Sequence, residues 1–102
     1  MRAIKELQEH TKGLAKLLPD STVEQRVLFL LTEVGEVARE VLRLARSDDQ
    51  VQIDAIKADL GLEIYDVIWN VCDLANLLGI DLEQAFAAKI EINQHRAWPN
   101  DH

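Results

Sequence analysis

The chain has 102 residues, 48% hydrophobic content and a formal charge of −7 from 11 basic and 18 acidic side chains. That is one small domain spanning 1–102, too short to bury a deep core alone, so association with further copies is expected. The acidic balance and the lack of a Lys/Arg cluster exclude a nucleic acid polymer as partner, because such binding rests on neutralising many phosphates.

Cys72 is the only cysteine and lies in an apolar run. It reads as a small buried hydrophobe in a reduced, cytoplasmic setting. The first ten residues are too charged for a secretory signal, and no apolar run approaches the roughly 20 residues of a membrane span.

In chain order, Ile4, Leu7, Leu14 and Leu17 or Leu18 recur at helical spacing and predict a first helix from about residue 2 to Leu18, weakest at Gly13. Pro19-Asp20-Ser21-Thr22 is a turn, and Thr22, followed by Glu24 and Gln25, is a good N-cap for a second helix running to about Ser47. After the polar loop Ser47-Asp48-Asp49-Gln50, a third helix extends from about Val51 to Leu78 and stops at Gly79. A fourth opens at Asp81, where Gln84 three residues on resembles a capping box, and Pro99 ends it. No strand-like alternation or internal repeat interrupts the pattern. The expected class is all-α, with about four helices and two long central ones forming a bundle completed by dimerisation.

The central helices carry acidic residues where core-forming helices seldom do. Glu33, Glu36 and Glu40 fall within about 60° on the second helix, beside Val34, Val37, Val41 and Leu44. On the third, Asp59, Glu63, Asp66, Asn70 and Asp73 fall within about 80°, beside Ile56, Val67, Val71 and Leu74. If the two helices pack antiparallel, Glu33/Glu36 and Glu63/Asp66 face each other across about 8–10 Å. Four oxygen donors with no His or Cys select a hard cation, Mg2+ or Mn2+, and through it phosphate. The plainer reading of any one such pair is a solvated helix face. The lack of Glu-x-x-His at either pair disfavours a di-iron carboxylate bundle.

On the fourth helix Lys89, Asn93 and Arg96 share a face within about 60°, as a cationic strip suited to a polyphosphate facing the acids, or again as ordinary solvated charge. Trp69 and Tyr65, Phe29 on the strip of Glu33 and Glu36, and Trp98 in the tail are candidates to stack on a base, or are core or interface. His10, His95 and His102 show no ligand spacing.

The succession Leu31-Thr32-Glu33-Val34-Gly35-Glu36, then Glu63-Ile64-Tyr65-Asp66, then Gly79-Ile80-Asp81-Leu82 and Lys89 through Arg96 resembles the MazG-like nucleoside triphosphate pyrophosphohydrolases, over about residues 24–99. The resemblance implies Mg2+ binding by Glu33, Glu36, Glu63 and Asp66, and contact of Lys89 and Asn93 with the nucleotide. It also implies cleavage between the α and β phosphates, and homodimers or dimer-of-dimers tetramers whose sites draw on two subunits. Thr32 stands where the family often has another Glu; rotated about 100° from Glu33, it is expected to spare the cage while altering contacts around the metal or the number of metals. Glu36 is the candidate general base, and Glu40 a candidate further ligand or supporting residue. The alternatives are a related dUTP or phosphoribosyl-ATP pyrophosphatase, and a non-catalytic helical interaction module.

Overall fold

The structure is a computed structural model that describes residues 2–16 and 20–96. Its four helices are α1 (Arg2–Ala15), α2 (Val23–Arg46), α3 (Gln50–Leu77) and α4 (Leu82–Gln94), and no strand occurs among the described residues. The predicted end of the first helix at Leu17 or Leu18, the Pro19 turn, and Trp98 and Pro99 lie outside the described residues. Helix α1 runs unbroken through Gly13.

Each boundary has a local cause. At Thr22 the side-chain oxygen accepts from Gln25 N at 3.1 Å while Gln25 Oε1 accepts from Thr22 N at 2.8 Å, a reciprocal capping box. Asp49 caps α3 through Val51 N. Asp81 accepts from Glu83 N and Gln84 N at the start of α4; the reciprocal bond that makes a full capping box is formed at Thr22, through Gln25. Helix α3 ends in a Schellman turn, with Ile80 N donating to Ala75 O and Gly79 N to Asn76 O. The turn requires φ of +68° at Gly79, a conformation that a Cβ penalises.

Helices α2 and α3 pack along one another, α1 lies on α3, and α4 leans mainly on α1. Arg26 meets Asp73 while Glu33 meets Glu63 and Asp66, so α2 and α3 run antiparallel as expected. The result is 47 × 44 × 25 Å, thin in one direction, about two helix diameters. Such a plate encloses little: among the described residues the buried apolar side chains are Ile56, Cys72 and Ala75. Leu28, Leu31, Leu62 and Val51 are each more than 60% exposed.

Much of what is buried is polar. Thr11 and Asp73 are almost fully enclosed, with Asn70 and Glu40 close behind. Burial pushes the Cys72 thiol up in pKa, and a hydrogen bond with Thr11 partly offsets this. Gln8 ties α1 to the α3–α4 turn. Its Nε2 donates to Asn76 Oδ1 (3.0 Å) and Ile80 O (2.8 Å), and its Oε1 accepts from Leu82 N (2.8 Å). Asn76 Nδ2 returns a bond to Gln8 O.

Candidate metal centre and nucleotide site

Antiparallel packing brings the acidic motifs of α2 and α3 together. Oxygens of Glu33, Glu63 and Asp66, all half-buried, lie within 4.8 Å of one another. The crowding registers on Glu33, whose carboxyl is held above its ordinary value by burial first, then by the charges of Asp66, Glu63 and Glu36, and by a hydrogen bond with Glu63. Three carboxylates so placed repel each other and lose solvation together, which a bound cation reverses. Ligands of a single hard cation stand about 3–4 Å apart when each is about 2.1 Å from it. Small side-chain movements would therefore close this group around one divalent ion, and an all-oxygen donor set fits that chemistry.

Glu36, the fourth predicted ligand, is near enough to raise the Glu33 pKa, yet its carboxylate is bound by Arg39 one turn on. Glu40 is buried and paired with Arg43 Nη1 at 2.7 Å. Asp59, on the predicted strip of α3 with Glu63 and Asp66, is exposed.

Lys89 and Asn93 share one face of α4, as helical phase predicts, and with Leu82, Ala85, Phe86 and Ile90 they line a recess of about 370 Å³. Asn93 Oδ1 is shielded there without a hydrogen-bond partner among the described residues. Arg96 lies just beyond the helix, exposed. Helix α4 leans mainly on α1, and α2, which carries Glu33 and Glu36, is not among its main neighbours in the described residues.

The aromatic candidates separate. Tyr65 OH lies 3.1 Å from His10 Nε2, with the rings edge to face, and so joins α3 to α1. Phe29 and Trp69 instead line one recess of about 470 Å³ with Asp20, Ser21, Gln25 and Arg26. Behind it Arg26 Nε stands 3.3 Å from Asp73 Oδ2, an ion pair whose side chains are 15% and 2% exposed. Neither atom has an aligned hydrogen bond among the described residues, so charge alone joins them. Sequence inspection missed this pair, the Gln8 clamp and the His10–Tyr65 contact. The only available signal for the first was an arginine on the face of α2 that also carries Glu33 and Glu40.

The profile of the MazG nucleotide pyrophosphohydrolase domain matches residues 21–98. A dATP/dGTP diphosphohydrolase of Cyanophage S-2L is 35% identical over 96 residues, 93% of this chain and 77% of that protein. The Gene 37 protein of Mycobacterium phage L5 is 39% identical over 51 residues, 50% of this chain and 45% of that protein. No solved structure matches. No helix among the described residues is long and apolar enough to cross a membrane.

Proposed function

The chain belongs to the MazG nucleotide pyrophosphohydrolase family, and from that premise we propose that it hydrolyses deoxynucleoside or nucleoside triphosphates to monophosphate and pyrophosphate with Mg2+ as cofactor, Mn2+ being a substitute. The observation that carries this reading is the convergence of Glu33, Glu63 and Asp66 within a chain of this family. Purine deoxynucleotides are the first substrates to test, given the activity named for the cyanophage relative.

Glu33, Glu63 and Asp66 would hold the ion. Bound there, Mg2+ would draw charge from the phosphate oxygens and acidify water. Glu36 is the proposed general base and an additional ligand when released from Arg39. An ion pair this exposed is worth only about 0–1 kcal/mol, so its release costs little. Lys89 and Arg96 would bind phosphate oxygens, and Asn93 the sugar or a phosphate through its shielded amide.

That cationic strip reaches the carboxylates most simply from a second copy. The exposed apolar side chains of α2 and α3, with Leu28, Leu31, Val51 and Leu62 each more than 60% exposed, support a homodimer or dimer-of-dimers tetramer that would cover them. Residues 1–102 would act as one domain, in the cytoplasm, on the nucleotide pool. The decisive experiment incubates the protein with dATP, dGTP, the other nucleoside triphosphates, dUTP and phosphoribosyl-ATP, with and without Mg2+. Released pyrophosphate is scored against orthophosphate. Mg2+-dependent pyrophosphate is expected, and its absence across the panel would overturn the reading.

A further inference from the structure

We propose that the recess between Phe29 and Trp69 holds the nucleobase of the substrate, whose triphosphate lies over Glu33, Glu63 and Asp66. The inference rests on the pyrophosphohydrolase reading and adds to it the place of the base. Phe29 precedes Glu33 by four residues and Trp69 follows Asp66 by three. Because α2 and α3 are antiparallel, both steps lead the same way along the seam, about one helical turn, or roughly 4.5–6 Å, from the carboxylates. A base entering there leaves its sugar and phosphates pointing back towards the acids.

The lining suits a flat, polar-edged guest. Phe29 is 52% exposed although large and apolar, and Trp69 faces it from the neighbouring helix. Two polar members of the wall are already immobilised, Gln25 by its bond to Thr22 N and Arg26 by Asp73, so binding need not order them. The other recesses offer less. The one on α4 has a single aromatic ring, Phe86, with no second ring facing it, and lies on the helix that packs on α1, and the one between Lys5, Gln8 and Asn76 has no aromatic side chain. Stacking between aromatic faces holds any base, so the recess supplies affinity more than discrimination among bases.

The test compares nucleotides with inorganic tripolyphosphate, which keeps the triphosphate chain but has neither sugar nor base. Trp69→Ala is expected to raise KM for dATP, dGTP, dCTP and dTTP alike by about tenfold, leaving tripolyphosphate as potent an inhibitor as before. Trp69→Phe should recover most of the loss. Parallel weakening of nucleotide and tripolyphosphate would overturn the assignment, as would an unchanged KM accompanied by a change in oligomeric state, which would make the recess a contact between copies. A second measurement does not need turnover. In a Trp98→Phe background, Trp69 emission should be quenched by deoxynucleotides and not by tripolyphosphate. Quenching in a protein that cleaves nothing would sink the proposed activity and keep the recess. Turnover with no quenching and no KM effect would do the reverse.

Discussion

Glu33→Gln should make the metal-free protein more stable and remove most of the stabilisation that Mg2+ confers. Glu33 stands within 4.8 Å of both Glu63 and Asp66. At water's dielectric constant, two like charges at that distance repel by about 1 kcal/mol, so deleting one charge of three relieves about 1–2 kcal/mol before salt screening. For a domain of this size, about 1 kcal/mol moves Tm by roughly 4–8 °C. The pKa shift carries the same sign. Because the folded-state value of Glu33 is raised, the favourable contribution of its protonated form is complete below the unfolded carboxylate range and lost as pH rises through the folded value. Wild type in EDTA should therefore lose stability relative to Glu33→Gln across that rise. With Mg2+ at about a hundred times its Kd, wild type regains about 2.7 kcal/mol and the variant far less, so the order of stability inverts. Thermal denaturation at one fixed protein concentration, in EDTA and along a Mg2+ titration, reads both effects. A variant less stable than wild type in EDTA, or equal Mg2+ stabilisation of both proteins, would refute the account of the triad as a strained cation site.

Two further perturbations probe the scaffold. Asp73→Ala leaves the Arg26 guanidinium enclosed without its counter-charge and should cost about 3 kcal/mol in urea denaturation, while Arg26→Met with Asp73→Leu should recover most of that; a double variant as unstable as the single one would argue against the ion pair as the cause. Gln8→Ala removes three side-chain hydrogen bonds and should cost about 2–3 kcal/mol. Hydrogen exchange at the Leu82 amide should accelerate together with that loss, and unchanged protection there would show that Gln8 does not anchor the start of α4.

What the sequence determined by itself is whatever acts within about four residues along a helix. The Thr22 and Asp81 caps, the stop at Gly79 and the common face of Lys89 and Asn93 depend on local spacing and are as expected. Opposed carboxylates on α2 and α3 were legible too, because antiparallel packing of neighbouring helices relates their phases. Only tertiary structure decided which partners those side chains take. Glu36 is held by Arg39 three residues on, itself a local pairing, whereas Arg26 meets Asp73, and Glu33 meets Glu63 and Asp66, across two helices. Gln8 and Asn76 stand 68 residues apart, and His10 and Tyr65 stand 55 apart. No periodicity connects such positions; only the crossing of α1 over α3 does. The same crossing sets α4 against α1 rather than along α2, because packing rather than helical phase chooses a helix's neighbour.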